Sequence, residues 1–181
     1  MCNWLDQVDD VSQSGHTVVT DASVLINLIH VDRLGLLGAL PGLEFVVPPE
    51  VESEVRIGQQ AQSLVRAISK DHLRRRSFRT TAELQRYTQH VQVLGKGEAA
   101  CLAMAQVHGF SIASDERGKF ANLASLHLGE GCILNTPGVF ILAIRASLIT
   151  VEEADHDKRV LARTRFMMKF SSFREVSNPN H

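Results

Sequence analysis

The chain has 181 residues, and its 19 Lys and Arg residues almost balance its 20 Asp and Glu residues. This near-neutral charge argues against a basic DNA-coating protein and against an acidic tail protein. With 44% hydrophobic and 22% charged residues, a chain of this length can bury roughly two-thirds of its unfolded surface around one core. The composition therefore favours one compact domain.

The three cysteines, Cys2, Cys101 and Cys132, lie far apart and form no CxxC pair, which argues against a disulfide framework and against a zinc knuckle. We expect reduced thiols, with Cys101 in the core. The longest purely apolar run, Val139 to Ile144, is much shorter than the roughly 18 residues that cross a bilayer. The acidic N-terminus does not resemble a signal peptide. These features predict a cytoplasmic protein with no membrane partner.

Short β-branched or apolar runs alternate with helical patterns along the chain. A short β-branched run over 17–20 is followed by Asp21. The apolar residues from Val24 to Ile29 then have a helical spacing. The same order of strand and helix recurs after three further runs, at 44–47, 110–113 and 132–134. Strands that alternate with helices form βαβ units. The sequence predicts the α/β class, with a mostly parallel twisted sheet of about four to five short strands sandwiched by helices.

Longer helical patterns fill the remaining sequence. One runs from 59 to 108 with a break at 94–97, and a final helix is predicted over 151–170. The helix after Asp115 is expected to bury four apolar residues: Phe120, Leu123, Ala124 and Leu126. The predicted organisation is a leader over 1–16, a main domain over 17–150, and a C-terminal helix with a frayed tail over 151–181 packed on the same domain.

Most catalytic signatures are absent from the sequence. It has no GxSxG elbow, no HExxH and no GxGxxG after a strand, and residues 95–97 lack the spacing of a P-loop. Four segments instead each offer a carboxylate: Asp21, Glu54, Glu98, and Asp115 with Glu116. Ligands of an open parallel sheet bind outside the carboxyl ends of its strands. We therefore expect Asp21 and Asp115 to point into one crevice.

Each carboxylate also has a purely structural interpretation. Asp21 and Asp115 suit helix N-caps, Glu98 in a first turn complements the helix dipole, and Glu54 fits a solvated helix face. Converging carboxylates, however, repel by roughly several kcal/mol unless a cation or a shared proton neutralises them. Oxygen ligands without Cys or His select Mg²⁺ or Mn²⁺. Such an ion activates water for phosphodiester hydrolysis.

The acids lie in four motifs: VVTDAS at 18–23, VPPEVESEV at 47–55, LGKGEAA at 94–100 and SIASDER at 111–117. Together these motifs resemble the PIN-domain superfamily of metal-dependent nucleases, in particular its compact bacterial branch related to VapC-type toxins. The segment NTPGV at 135–139 is similar to the last strand and helix of that branch. The resemblance covers most of the chain.

The resemblance implies a set of metal ligands: Asp21, Glu54, Glu98 and Asp115, with Glu116 as a rival or partner of Asp115. It implies that Ser23 supports the first acid. It also implies a Mg²⁺- or Mn²⁺-dependent endoribonuclease that cleaves single-stranded RNA through metal-activated water. Members are often toxins held by a small antitoxin protein, and often homodimers, so RNA, an antitoxin and a second copy are the expected partners.

A basic segment lies between the second and third predicted strands, where Arg66 to Arg86 contains seven Lys and Arg residues against two acids. Beside an acidic metal site it would hold an RNA backbone, through four arginines: Arg74, Arg75, Arg76 and Arg79. Phe78 and Tyr87 could stack on bases. Arg117 and Lys119 are the cations available for the phosphate contact that the family resemblance implies. A solvated charged helix, or a strip that docks an acidic antitoxin, fits the same residues.

Two other functions remain open. A catalytically idle PIN-like module would bind RNA or a protein partner through the same crevice. A DNA nuclease would use the same acids and the same mechanism, because nothing in these motifs distinguishes ribose from deoxyribose.

Overall fold

The computed structural model describes residues 15–56 and 58–177, and these form a five-stranded sheet in which every pairing is parallel. The strands are β1 (His16–Thr20), β2 (Leu43–Val47), β3 (Arg74–Arg75), β4 (Ser111–Ala113) and β5 (Ile133–Leu134). Their order across the sheet is β3-β2-β1-β4-β5. The connections run outward to β2 on one side of β1 and to β4 on the other, so the topological switch point lies at the carboxyl ends of β1 and β4.

Helices flank this sheet, which confirms the predicted α/β class. They are α1 (Ala22–His30), α2 (Gly35–Ala39), α3 (Pro49–Glu52), α4 (Gly58–Ser69), α5 (Thr81–His90), α6 (Lys96–His108), α7 (Lys119–Leu128), α8 (Thr136–Arg145) and α9 (Val151–Arg163), with a 3₁₀ turn at Phe173–Glu175. Among the described residues, no helix is both long enough and apolar enough to span a membrane.

The strand β3 was not predicted. The continuous helical region expected over 59–108, with its one break, is instead three helices, α4, α5 and α6, and β3 lies between the first two. Arg74 and Arg75 are both exposed at the edge of the sheet, so the segment shows none of the apolar alternation by which a strand is recognised. Pairing with β2 alone defines it.

Side-chain caps fix where several helices begin. The Asp21 carboxylate accepts the Ser23 N–H at the start of α1. Thr80 and Glu83 form a reciprocal capping box on α5, and Thr150 and Glu153 form another on α9. Such caps satisfy backbone N–H groups that have no partner within the helix.

The final helix is shorter than predicted, because α9 ends at Arg163 rather than near residue 170. Arg165 has a left-handed backbone with φ of 68°, which a continuing α-helix does not allow. The helix packs on the main domain, where Arg33 donates to Asp157 at 2.7 Å. Most of the predicted leader and residues 178–181 of the tail lie outside the described residues.

The helix α6 lies at the centre of the core. Its residues from Ala99 to Ala105 are all buried, and it contacts both β1 and β4. Small alanine side chains allow such a close approach of helix and sheet. Cys101 is fully buried there, as predicted, and burial raises the pKa of its thiol well above the usual range.

Two apolar segments differ in their burial. Residues Leu34, Leu36 and Leu37 are all core residues. On α7, Phe120 and Ala124 are buried, but Leu126 is 75% exposed, which corrects the predicted apolar face. Leu126 lies six residues after Phe120, a spacing that turns its side chain well away from the buried stripe.

A buried ionic cluster joins the end of β3 to α5 and α6. Glu83 is 0% exposed and accepts from the Arg76 guanidinium at 2.8 Å and from His108 Nε2 at 3.0 Å. The N–H groups of Arg79 and Thr80 donate to its other oxygen. Burial alone would raise the pKa of Glu83, but these donors outweigh it and lower the pKa.

Arg76 is therefore part of the interior. It is 8% exposed, and its guanidinium lies over the Phe110 ring. This corrects the expectation that Arg76 contacts RNA.

We predict that Arg76→Ala lowers the free energy of unfolding by about 3 kcal/mol, because it leaves the buried Glu83 carboxylate without its guanidinium partner. The matched control is Arg74→Ala, which removes an exposed pair with Glu44 and is expected to cost less than about 1 kcal/mol. Urea unfolding of both variants measures the difference. Equal, small losses would show that the cluster does not stabilise the fold.

Candidate active site

Asp21 lies immediately after the central strand and is 3% exposed. One of its oxygens, Oδ2, accepts from the Ser23 hydroxyl at 2.7 Å, from the Ser23 N–H at 3.3 Å and from the Ser114 hydroxyl at 3.2 Å. Among the described residues, no group donates a hydrogen bond to Oδ1. Asp21 is thus an N-cap whose second oxygen is available to a ligand.

An open cleft of about 350 Å³ lies beside Asp21, at the carboxyl end of the sheet. Four carboxylates from four separate segments line it: Asp21, Glu54, Glu98 and Glu116. Ser23 and Ile26 of α1 and Gly95 complete much of the wall. The fold therefore brings together most of the acids that the sequence motifs single out.

Glu54 lies in the turn beyond α3 rather than on the helix itself. Its Oε1 accepts the N–H of Gly97 at 2.9 Å, and a Cβ at Gly97 would lie 2.7 Å from Oε2 of the same carboxylate. A glycine at 97 is thus what allows Glu54 to contact the start of α6. Desolvation raises the pKa of Glu54, and the negative charges of Asp21 and Glu98 raise it further. The hydrogen bond from Gly97 lowers this pKa but does not outweigh the other effects.

Glu98 combines a structural role with its place in the cleft. Its Oε2 accepts the N–H of Gly95 at 2.8 Å, three residues earlier. This contact satisfies a backbone donor at the start of α6 and places a negative charge in the first turn, as the structural interpretation predicted.

The Asp115 carboxylate lies beside α1 and α8, where hydrogen bonds from Asn27 and Thr136 hold it. Its Oδ1 accepts the Thr136 N–H at 2.8 Å, and its Oδ2 accepts from Asn27 Nδ2 at 2.9 Å and from the Thr136 hydroxyl. Its own N–H donates to the Ser23 hydroxyl at 3.0 Å. Burial raises the pKa of Asp115, and the charge of Asp21 adds to this effect, while the Thr136 and Asn27 hydrogen bonds lower it.

Glu116 is the acid of the fourth motif that lines the cleft. Its N–H donates to the Ser114 hydroxyl at 3.1 Å. Desolvation raises the pKa of its carboxyl, and the nearby charges of Asp21 and Glu98 are the next causes. Asp115 and Glu116 therefore occupy different places, one against α8 and the other in the cleft.

Three polar residues of the site were not predicted: Asn27, Ser114 and Thr136. Asn27 is 8% exposed on α1, between Leu25 and Leu28 on the buried side of the helix. A polar residue within an apolar helical pattern needs a buried partner, and this was the signal that could have identified it.

Three of the seven cations in the basic segment form ion pairs with neighbouring acids. Arg74 pairs with Glu44 at 2.8 Å, and Arg75 makes a two-pronged contact with Glu52. Phe78 and Tyr87 pack on each other with ring centres 5.1 Å apart. The acidic partners, Glu44 on β2 and Glu52 on α3, are distant in sequence from the two arginines. A count of charges within the basic segment therefore could not identify them.

The remaining predicted RNA contacts are Arg79, Arg117 and Lys119. All three are exposed, and among the described residues none of them forms an ion pair. Arg117 is the next residue after Glu116, and Lys119 lies three residues after it.

The donor chemistry of the cleft fits a hard divalent cation. Carboxylates are the ligands that Mg²⁺ and Mn²⁺ prefer, and Mg²⁺ keeps several waters, so one or two protein ligands suffice. Oδ1 of Asp21 is open, and mutual repulsion contributes to the raised pKa values of Glu54 and Glu116. Within 15–56 and 58–177, no three His, Cys, Asp or Glu side chains are already gathered closely enough to hold an ion.

A family model described as a PIN domain matches residues 17–154, well over half of the chain. This match confirms the resemblance of the four motifs to the PIN-domain superfamily. No curated protein and no solved structure matches the chain.

We predict that Glu116→Gln raises the thermal unfolding temperature in EDTA near neutral pH. The raised pKa of Glu116 means that its ionisation costs folding stability, and this loss grows as the pH rises through that pKa. Glutamine carries no charge, so the variant does not lose this folding stability. With excess Mn²⁺ the order should reverse, because the wild type gains more stability from ion binding.

The control is Glu130→Gln, an exposed acid in the turn after α7. It should change neither the EDTA value nor the response to Mn²⁺. If Glu116→Gln behaves like this control, the carboxylates do not repel one another in the cleft.

Proposed function

Because the chain belongs to the PIN-domain family, whose members are generally nucleases, we propose that it is a Mg²⁺- or Mn²⁺-dependent endoribonuclease that cleaves single-stranded RNA. One observation carries the proposal: four carboxylates from four segments line one open cleft at the carboxyl ends of the strands. The negative charges of these carboxylates disfavour one another, and a bound cation would relieve that repulsion.

Asp21 and Glu116 are the ligands we assign most directly to the ion. Asp21 offers the open Oδ1, and Glu116 is exposed along the same wall. Glu54 and Glu98 complete the negative lining and bind the ion directly or through water. Asp115 supports this set by anchoring the backbone that carries Glu116, since Thr136 and Asn27 hold its carboxylate.

A divalent ion bound here would supply Lewis-acid activation of water and neutralise charge on the phosphate. The protein supplies orientation and proton transfer. Ser23 and Ser114 fix the rotamer of Asp21, and the Gly97 N–H fixes Glu54. Glu54, which the Gly97 N–H orients, is the carboxylate that we assign to accept the proton that the attacking water loses.

Three exposed cations that form no ion pair with another described residue favour a nucleic-acid substrate. Arg117 and Lys119 lie one and three residues after Glu116, and Arg79 is exposed on the approach to α5. Phosphate contacts of this kind supply sequence-independent affinity. The resemblance to the VapC-type branch supports a cytoplasmic toxin that a small antitoxin protein restrains and that pairs with a second copy of itself.

A second candidate is a PIN-like module that binds RNA or protein without cleaving it. Two observations favour it: Glu98 and Asp115 already accept internal hydrogen bonds, and no three ligand side chains among the described residues are gathered in advance. A cleavage assay separates the two candidates.

We predict that Asp21→Asn lowers the rate of RNA cleavage at least about a hundredfold, more than outer residues of metal sites usually contribute. Asparagine keeps the size and the N-cap of the side chain but removes its charge. A 3′-labelled single-stranded RNA, with Mn²⁺, Mg²⁺ or EDTA, gives the rate. A DNA strand of the same sequence shows whether the sugar matters.

The control is Asp71→Asn, because Asp71 is exposed and has a left-handed backbone that asparagine accepts. It should cleave like the wild type. Retained cleavage by Asp21→Asn would contradict the assigned centre. No cleavage by any variant, with Mn²⁺ still raising the unfolding temperature of the wild type, would favour the non-cleaving module.

A further inference from the structure

A second depression, which we call the basic pocket, lies between α1, α2 and α4. Its volume is about 220 Å³, and its polar lining consists of Ser63, Arg66, Lys70, His72 and Asp32. Arg66 and Lys70 are four residues apart and lie on the same face of the α4 segment. Both exposed cations line the space, together with one acid, Asp32.

These two cations differ from three arginines of the basic segment. Arg74, Arg75 and Arg76 each pair with a glutamate. In the part of the chain that the structure describes, neither Arg66 nor Lys70 forms an ion pair. Like charges at this spacing disfavour a helix unless an anion lies between them.

The basic pocket and the carboxylate cleft are aligned along one helix. Ala22 and Ile26 line the cleft, and Ile29 lines the basic pocket. Positions i, i+4 and i+7 share one face of a helix. The rise of 1.5 Å per residue places the two sites roughly 10 Å apart along α1, a distance that a short stretch of nucleotide chain spans.

The wall of the pocket opposite α4 is held by a close backbone contact. A Cβ at Gly38 of α2 would lie only 2.7 Å from the Cα of His72. Glycine at 38 therefore allows α2 to lie directly against the segment that carries His72. This contact positions His72, which lines the same pocket.

We propose that the basic pocket binds a phosphate group of the RNA strand whose neighbouring nucleotides occupy the cleft. Arg66 offers a planar fork of donors suited to a phosphate, Lys70 a point charge and Ser63 a hydroxyl. The inference rests on the proposed function, because it names where the substrate is held away from the cut. The phosphate is either an internal diester or the terminal monoester of the strand.

The test is RNA binding by the full chain in EDTA, so that the result does not depend on cleavage. The probe is a 3′-fluorescein oligouridine of about twelve nucleotides, with and without a 5′-phosphate, followed by anisotropy over a series of salt concentrations. Arg66→Ala/Lys70→Ala should bind about tenfold more weakly at fixed salt. Its slope of log affinity against log salt should be shallower by about 1.4.

The matched control is Arg163→Ala/Lys169→Ala, which removes the same two charge types from exposed positions elsewhere. It should leave affinity and slope unchanged. A loss that is equal with and without the 5′-phosphate identifies an internal diester, whereas a loss confined to the phosphorylated strand identifies the terminal monoester. Wild-type values for Arg66→Ala/Lys70→Ala, or a loss matched by the control, would overturn the inference.

The outcomes also separate this inference from the nuclease proposal. If the wild type binds RNA through the pocket but never cleaves it with Mn²⁺, the nuclease proposal fails and the pocket stands. If it cleaves RNA and the pocket variant binds normally, only the pocket inference fails. If the wild type does not bind RNA at low salt, the pocket inference fails.

Discussion

Mutual repulsion among carboxylates at the end of the central strand is the constraint on which the site depends. The protein positions these charges with neutral hydrogen-bond donors. Ser23 and Ser114 hold Asp21, the Gly97 N–H holds Glu54, and Thr136 with Asn27 holds Asp115. Neutral donors fix the geometry without cancelling the negative charge, which a salt bridge would do. The remaining negative charge can attract a divalent cation.

The same constraint explains why small residues surround the site. The buried alanines of α6 let this helix lie against the sheet, and Gly97 lets its first turn contact Glu54. Larger side chains would separate the four segments and with them the four carboxylates. Two arginines of the basic segment are neutralised by other acids: Arg76 is enclosed with Glu83, and Arg75 is paired with Glu52.

Local sequence patterns were sufficient for the α/β class, for four of the strands and for the acids of the cleft. Apolar runs that end at an acid are visible along the chain, and parallel strands bring such ends to one edge. The two-residue strand β3 was not visible, because both of its side chains are exposed arginines. The pairing of Arg74 with Glu44 was hidden for the same reason, since it depends on a strand neighbour 30 residues away.

The two acids of the fourth motif could not be assigned to different places from the sequence. Asp115 and Glu116 are adjacent, and their order alone could not decide which faces the cleft. The contacts from Thr136 and Asn27, both distant in sequence, turn Asp115 toward α8 and leave Glu116 on the cleft wall. Only the fold brings those two residues beside Asp115.

The most direct test of the account is anomalous diffraction from crystals grown with Mn²⁺. We expect an anomalous peak in the carboxylate cleft, from an ion bonded to Asp21 Oδ1 and to Glu116. A cleft without a peak at saturating Mn²⁺, or an ion bound only at other residues, would contradict the claim that these acids form a metal centre.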